Sequence, residues 1–476
     1  MRKLILVGLT AALIPASAAE PAKTTEPNLR SWEQQHDKLK IRHSNRIFED
    51  TSPQFITIPD PYPEARDFIV AETPPVIDFG LLEGIEPEYI DQAVNARSTP
   101  ARGGWGDVSK GPDGAFYFAQ GNHMSFDGGT AYVVRYDPHK RKYDIILDTK
   151  KLTGWGPDDY ADGKLHGDLD TSPSGDMWLL SYFGPIPTEE NWQKDYRGSW
   201  LMRLNVRSGE KENLGIALEG ESWPYHNWDW RRNLLFGAGH RGNVFIYDTE
   251  HRQRLYAGAP PAGIIWNSRG IMIDHETGVI YTTDMATDPG PQHQFVKYER
   301  RNNTFTRMEP RMPPHLVTGK ATRLRSHTRK DADGAFWCLD MGGALFKFYP
   351  AEDRVEPVGI NWGREGKYVA NMSMSPGGRY IYYLPGADRM AHEYGTPVVQ
   401  YDTTNGTKKV LAFLKDYYLE KYGYLVLGTY GIELDEKGES LFFYVDGRFT
   451  PADRFNFGER RTGIFHLKIP VSERVE

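Results

Sequence analysis

The feature that most constrains the fold is a tight turn followed by a strand of bulky apolar residues, which recurs seven times along the chain of 476 residues. Each turn contains a Gly or an Asn, the residues that tolerate the positive φ of a tight connection between strands. These turn residues are Gly114, Gly175, Asn233, Gly278, Gly334, Gly378 and Gly438. A further strand follows each unit, at 131–136, 200–204, 244–247, 295–298, 345–348, 398–401 and 464–467.

The spacing between successive turns is close to the length of one four-stranded blade with its loops. Seven such units closed in a ring predict an all-β, seven-bladed β-propeller, a fold that leaves only short, protected sheet edges. Two unrelated β-sandwiches are the alternative, but seven matched pairs are hard to obtain by chance. The content of 48 Gly, 32 Pro and 13% aromatic residues is typical of many short strands joined by turns.

The repeat also replaces the two or three domains that this length would otherwise suggest. We assign residues 101–476 to the propeller, which would be the catalytic domain. Residues 20–100, rich in Pro and charge, are expected to wrap the ring and could donate a strand that closes it.

The first 19 residues have the pattern of a signal peptide. Arg2 and Lys3 precede an apolar run over residues 4–14, and Ala16-Ser17-Ala18 provides a cleavage signal. The run is too short to span a bilayer, so we expect a secreted or periplasmic protein without membrane insertion. A single cysteine, Cys338, excludes an internal disulfide, so core packing must hold the fold, and we expect a monomer.

The overall charge argues against a nucleic-acid partner. The chain has 57 Lys and Arg against 64 Asp and Glu, a net charge of −7, and loss of the leader would make it more negative. It contains no G-x-S-x-G elbow, no Walker loop and no H-E-x-x-H motif, and we expect no organic cofactor.

The repeat register places residues distant in sequence on one rim of the ring. The first strand of a blade runs toward the turn and the second runs back, so the start of one and the end of the other share an edge. Positions eight or nine before the turns are Trp105, His166, Tyr225, Arg269, Arg325 and Ala370. Positions seven to nine after the turns are His123, Tyr182, His240 and Arg241. This concentration of His, Tyr and Arg predicts a functional site.

These residue types suit β-elimination on a uronic acid. Arginine binds a carboxylate or sulfate through two oxygens, and a His or Tyr beside it can move protons. We expect Arg241 to lie close to Tyr225 and to favour the phenolate of that tyrosine. In the reaction the carboxylate is neutralised, the C5 proton is removed and the oxygen leaving C4 is protonated.

The chain resembles the propeller-fold ulvan lyases, a family of polysaccharide lyases. The resemblance rests on Gly121-Asn122-His123 followed by Gly128-Gly129 and residues 132–137, on the motif at 163–168, and on Tyr225 followed sixteen residues later by Arg241. It covers roughly residues 100–400. It implies cleavage of ulvan, an anionic sulfated polymer of rhamnose and uronic acid, to give 4,5-unsaturated uronyl ends.

The resemblance also implies roles for individual residues. His123 and His166 look like the catalytic histidines, Tyr225 like the catalytic tyrosine and Arg241 like the carboxylate neutraliser. The choice of base and acid stays open, because the two uronate epimers present their C5 protons from opposite sides. Apart from the resemblance, the count of rim positions adds His240, Arg269 and Arg325 as substrate-binding residues.

A structural Zn²⁺ between blades is a further implication of the resemblance. Cys338, Asp284 and His392 look like part of such a site, since zinc accepts thiolate, carboxylate and imidazole ligands. The fourth ligand is open: Asn267 or Arg269 occupies the region expected to hold a histidine, and His327 is a substitute. Alternatively, Cys338 is a buried strand cysteine.

Two other functions compete with ulvan cleavage. One is a lyase acting on another polyuronate such as oligogalacturonate, and the other is a propeller that binds glycans without catalysis. Trp223, Trp228 and Trp230 around Tyr225 would serve either as platforms for sugar rings or as blade core.

Overall fold

The fold is a ring of seven small sheets, a seven-bladed β-propeller. This computed structural model of the protein describes residues 46–62, 66–82, 103–121, 130–154, 162–183, 196–286, 293–320, 322–387, 390–448 and 461–474. The predicted signal peptide lies outside these ranges. Each blade is a meander whose first strand lines the centre of the ring, and each contains one of the seven turns predicted from the sequence.

The strands run in chain order around the ring. Three come from the N-terminal segment: β1 (Phe48–Asp50), β2 (Ile69–Val70) and β3 (Val76–Leu81). Blade 1 contains β4 (Gly103–Lys110), β5 (Phe116–Gly121), β6 (Ala131–Asp137) and β7 (Lys142–Asp148). Blade 2 contains β8 (Asp162–Leu165), β9 (Asp176–Phe183), β10 (Trp200–Asn205) and β11 (Lys211–Ile216). Blade 3 contains β12 (Tyr225–Asp229), β13 (Leu234–Ala238), β14 (Val244–Asp248) and β15 (Gln253–Gly258). Blade 4 contains β16 (Met272–Ile273), β17 (Ile280–Thr283), β18 (Gln294–Glu299) and β19 (Thr304–Arg311); blade 5 contains β20 (Leu324–Lys330), β21 (Phe336–Asp340), β22 (Ala344–Tyr349) and β23 (Arg354–Ile360); blade 6 contains β24 (Ser373–Met374), β25 (Tyr380–Tyr383), β26 (Pro397–Asp402) and β27 (Lys408–Phe413); blade 7 contains β28 (Leu425–Leu434), β29 (Ser440–Arg448) and β30 (Arg461–Lys468).

Helices are few and short. In the ranges given above, the α-helices are α1 (Thr149–Thr153) and α2 (Lys415–Tyr422), and 3-10 helices cover Pro53–Ile56, Pro261–Gly263, Ala391–Tyr394 and Val471–Glu473. Among the described residues, no helix combines the length and the apolar composition that crossing a membrane requires.

The seven turn residues adopt the backbone conformation that the sequence predicts. The six glycines and Asn233 all have positive φ, between 53° and 92°. Most residues with a Cβ are strained in this region, whereas Gly has no Cβ and Asn tolerates the conformation better than other residues, which explains why Gly and Asn recur at these positions. The turns therefore fix the register of every first and second strand.

The ring is closed by strands from both ends of the chain. In blade 7, β3 pairs antiparallel with β30, from Val76 opposite Lys468 to Leu81 opposite Gly463, and β1 pairs with β3. In blade 6, β2 pairs parallel with β27. The segment assigned to wrapping thus supplies three strands, and the propeller begins before residue 101.

Aromatic rings fill the spaces between adjacent blades. Phe116 of blade 1 stacks on Phe442 of blade 7 with ring centroids 4.9 Å apart, and Phe295 of blade 4 stacks on Phe348 of blade 5 at 4.1 Å. Such pairs contribute about 0.5–1.5 kcal/mol each beyond the burial of their apolar area. The blades are therefore held in fixed positions, which in turn fixes the side chains at the centre of the ring.

Candidate functional site

Four side chains predicted on the rim lie against one another, and we call them the rim cluster: Trp105, His166, Tyr182 and Arg269. They come from β4, from the residue after β8, from β9 and from the loop before β16. The Nη1 atom of Arg269 lies 2.8 Å from Nε2 and 3.2 Å from Nδ1 of His166. The imidazole centroid is 6.0 Å from the ring centroids of both Trp105 and Tyr182.

His166 is a neutral imidazole in this setting. Its side chain is buried, and burial is the main cause that holds its pKa well below the ordinary value of histidine. The positive charges of Arg269, Lys164 and Arg325 lower the pKa further. A lone pair on His166 is therefore present at neutral pH.

Tyr182 keeps its proton, because burial raises the pKa of its hydroxyl. Its Oη lies 3.5 Å from Nδ1 of His240. The buried Lys164 places its Nζ 4.2 Å from the centroid of the Tyr182 ring. The cluster thus combines a proton acceptor, a proton donor and cations.

His240 and Arg241 lie at the exposed edge of the same rim. Partial desolvation lowers the pKa of His240, and the charges of Arg269, Lys164 and Arg241 act in the same direction. The backbone N–H of Arg241 donates to Oε1 of Glu221, which anchors the loop after β13.

Tyr430 is a further aromatic neighbour of His166 that was not predicted from the sequence. Its ring lies 5.4 Å from that of Trp105 and 6.2 Å from the imidazole of His166. It precedes the seventh turn residue, Gly438, by eight positions, so the same register count would have found it.

The expectation for Tyr225 was wrong in one respect. Its hydroxyl contacts Oδ2 of Asp107 at 2.7 Å and Oδ1 of Asp168 at 2.8 Å. Burial and these two carboxylates raise the pKa of Tyr225 well above its ordinary value. The phenolate expected from a neighbouring Arg241 is therefore disfavoured, and Tyr225 is held protonated inside the ring.

The contacts of Tyr225 require an additional proton. A phenol hydroxyl carries one hydrogen and can donate to only one of the two carboxyl groups. The other short contact is a hydrogen bond only if that carboxyl is itself protonated and donates to Oη. Burial and the proximity of Asp107 raise the pKa of Asp168 well above its ordinary value, which favours a proton on this carboxyl.

Two further acids line the same central channel. Asp170 and Glu433 border a cavity of about 130 Å³ together with Asp107, Asp168 and Tyr225. Burial, with smaller contributions from neighbouring carboxylates, raises the pKa of Asp170 to about 6 and that of Glu433 to about 8. The channel below the rim is therefore acidic and partly protonated.

Arg325 lies inside the ring rather than on its surface. Its side chain is buried, its Nε donates to Oη of Tyr368 at 2.5 Å, and its Nη1 donates to the backbone carbonyl of Arg269 at 3.2 Å. Arg325 thus supports the loop that carries Arg269 and separates the rim cluster from the channel carboxylates.

The proposed zinc ligands are not brought together. The carboxylate of Asp284 accepts a hydrogen bond from Nε of Arg307 at 2.6 Å and from two backbone N–H groups. The thiol of Cys338 is buried in an apolar cluster, 3.7 Å from Sδ of Met272, and burial raises its pKa well above the ordinary value. A thiol in this environment is a poor metal ligand, so the alternative of a buried strand cysteine fits.

The other members of that site do not restore it. His392 lies on the 3-10 helix Ala391–Tyr394 of blade 6, and Nε2 of His327 is 2.7 Å from the carbonyl of Ile271. Within the described ranges, one group of three potential ligands lies within 4.8 Å: Asp248, Glu250 and His251. Asp248 in that group is already paired with Arg300 at 2.6 Å.

The remaining predicted residues divide between the core and the part that is not described. His123 lies outside the described residues. Trp223 and Trp228 are buried between blades, whereas Trp230 is half-buried.

No family model matches the sequence, and no curated protein matches it. Among solved structures, a chain in "Crystal Structure of Mitotic Checkpoint Complex" aligns over 97% of this chain and 99% of that chain, with 9% identity and a TM-score of 0.48.

Proposed function

We propose that the protein is a polysaccharide lyase that cleaves a uronate-containing polymer by β-elimination at the rim cluster. The observation that carries the proposal is the neutral imidazole of His166 in contact with the guanidinium of Arg269. The proposed substrate is ulvan, the sulfated polymer that the sequence resemblance implies, and the proposed location is secreted or periplasmic.

Arg269 is the proposed carboxylate neutraliser. Its side chain is half-buried, so its guanidinium meets both solvent and the imidazole. A guanidinium binds both oxygens of a carboxylate and thereby stabilises the negative charge that develops when the adjacent C–H proton is lost. This role moves from Arg241, which the resemblance suggests, to the arginine that contacts His166.

His166 is the proposed base. In the absence of substrate, Nη1 of Arg269 lies against both ring nitrogens. A substrate carboxylate would draw the guanidinium onto its own oxygens and offset its charge. Both effects increase the basicity of His166 at the moment when the C5 proton must be removed.

Tyr182 is the proposed acid, since its hydroxyl keeps its proton and its ring centroid lies 6.0 Å from that of His166. The C5–H proton passes to His166, and its bonding electrons form the C4=C5 double bond. The C4–O bond breaks, and its electron pair stays on the leaving oxygen, which takes the proton of Tyr182. Tyr225 is less suited to this role because its hydroxyl is already bonded to two carboxyl groups.

The aromatic residues supply surfaces for the sugar rings. Trp105 and Tyr430 flank His166 with ring distances of 6.0 Å and 6.2 Å. The apolar face of a pyranose packs on such rings and is thereby oriented over the base.

An absorbance assay tests the proposal. The purified protein is incubated with ulvan, polygalacturonate and alginate, and the conjugated uronyl product is followed in the ultraviolet. We expect turnover of ulvan, with kcat/KM reduced about 10²–10⁴-fold in Tyr182→Phe and Arg269→Gln.

The matched control is His251→Gln, which changes an exposed histidine on the opposite face and should retain activity. Silence with all three polymers would refute the lyase. Binding of ulvan without turnover would instead indicate a glycan-binding propeller, and turnover of polygalacturonate alone would indicate a different polyuronate substrate.

A further inference from the structure

A second cavity lies between blades 2 and 3 on the face opposite the rim cluster. It has a volume of about 420 Å³ and is bordered by the turns before β9 and β13 and by the loop between β14 and β15. In an antiparallel meander these loops share one edge, and the rim is formed by the other. We call this space the blade 2–3 cavity; its size is within the range of small-molecule sites.

Three indoles contribute to its lining: Trp178, Trp228 and Trp230. Trp178 and Trp228 are 4% and 3% exposed, so they form a rigid wall, and Nε1 of Trp228 donates to Oγ1 of Thr249 at 3.3 Å. Trp230 is half-buried, and the guanidinium of Arg231 lies 4.4 Å from its ring centroid. The cavity therefore has an apolar aromatic side in a fixed position.

Ion pairs and a hydrogen bond hold the polar lining residues in place. Arg203 is 2.6 Å from the carboxylate of Asp176, and Arg252 is 2.6 Å from that of Glu212. Nδ2 of Asn233 donates to Oε2 of Glu250 at 3.1 Å. These contacts position the polar groups before any ligand arrives and reduce the entropy lost on binding.

The charges of the cavity disfavour an anion. Arg203 also lies 3.3 Å from Glu210 and 3.8 Å from Glu212, so each guanidinium is already matched by carboxylates. Glu250 adds a further negative charge to the lining. A uronate or a sulfate would find no uncompensated cation here, in contrast to the rim cluster.

We propose that the blade 2–3 cavity binds one neutral sugar residue of a polysaccharide, separately from the proposed lyase site. The C–H face of the sugar ring would pack on Trp230, and its hydroxyls would bond to the carboxylates of Asp176 and Glu250 and to the amide of Asn233. Carboxylates have accepting positions left after pairing with arginine, which suits the O–H groups of a neutral sugar.

Ligand-observed NMR with saturation transfer tests this proposal on the full chain. The probes are L-rhamnose, D-xylose and D-galactose as neutral sugars and D-glucuronate as the anionic counterpart. Binding of at least one neutral sugar is expected without binding of glucuronate at this site. Trp230→Ala should weaken binding about tenfold or more, since it removes the stacking surface.

Three controls separate this site from the rest of the molecule. Glu250→Gln changes an exposed side chain, so this variant should fold normally even if Trp230→Ala does not fold. It should weaken binding several-fold. Trp223→Phe alters a buried indole outside the cavity and should leave binding intact. Tyr182→Phe should also bind, whereas it should lose lyase activity.

Absence of a saturation-transfer signal for all three neutral sugars would overturn the proposal, as would unchanged binding in both Trp230→Ala and Glu250→Gln. Failure of the lyase assay would leave the binding result unaffected, so the two proposals fail independently.

Discussion

His166 and Tyr225 are both buried near the centre of the ring, and their neighbours hold them in opposite environments. The imidazole faces the cations Arg269, Lys164 and Arg325, whereas the phenol faces the carboxyl groups of Asp107 and Asp168. Both side chains are uncharged at neutral pH, for different reasons. Only His166 has a lone pair available to a substrate, which is why we assign the base to it.

The positive neighbours of His166 predict the acid limb of the pH profile. Because burial, and then these charges, lower the pKa of the imidazole, activity should persist below the ordinary histidine pKa of about 6.5 and fall only at lower pH. Lys164→Met removes one positive neighbour, so it should raise the pKa of His166 and move the acid limb to higher pH. Profiles of kcat/KM against pH would measure the shift, and an unmoved limb would contradict the electrostatic argument; His251→Gln is the control.

At the scale of the strand, counting positions from each turn residue accounts for the part of the site that the sequence could predict. Gly or Asn at each turn fixes where the first strand starts, so the convergence of His166, Tyr182 and Arg269 followed from counting positions. Asp107 and Asp168 each precede their turn by seven positions and were not counted, although they follow Trp105 and His166 by two residues and belong to the same register. Their contacts with Tyr225 depend on distances across the channel, which no count along one strand contains.

The zinc ligands predicted from the sequence do not meet, and the reason belongs to the same scale. A position on a blade does not reveal whether its side chain enters the space between sheets, as Cys338 does, or meets an arginine on the adjacent strand, as Asp284 does with Arg307. Both outcomes depend on tertiary packing.

Glu433 on β28 predicts a pH-dependent stability. Its pKa is raised from 4.5 to about 8, so the contribution of its protonated form is complete below pH 4.5 and is lost as pH rises through 8. Glu433→Gln keeps a neutral side chain at every pH. We expect the variant to unfold at a higher temperature than the wild type at pH 9 and at a similar temperature at pH 4.5. An equal difference at both pH values would argue against the raised pKa.

The closing strand β3 predicts a large loss of stability from one side chain. Phe79 is fully buried, with ring centroids 4.7 Å from Tyr418 and 4.9 Å from Phe465. Phe79→Ala should lower the free energy of unfolding by about 3–5 kcal/mol. Ile69→Ala on β2, where the side chain is 51% exposed, should change it by less than about 0.5 kcal/mol. Denaturant titration compares the two, and similar losses would show that β3 does not secure the ring.

Across the whole molecule, charge is distributed unevenly. The net charge is −7, yet Lys164, Arg241 and Arg269 gather at one rim, while carboxyl groups fill the channel below and the lining of the blade 2–3 cavity. A polyanion is repelled by most of the surface and attracted by this rim.

This arrangement predicts a dependence on ionic strength. Raising NaCl from 50 to 300 mM screens the attraction between the rim and a polyanionic substrate, so KM for ulvan should increase several-fold while kcat changes little. Steady-state kinetics at both salt concentrations would measure the effect. A KM independent of salt would indicate that the cations of the rim do not take part in binding the polymer.

The pairing of β3 with β30 has a consequence for the order of events during synthesis. Residues 76–81 are translated long before their partners at 463–468. Blades 1 to 6 can assemble while translation continues, whereas the seventh sheet must wait for residues 463–468. In a product that stops before residue 461, β3 would have no partner strand and the ring would stay open. Quality-control proteases would then degrade this product.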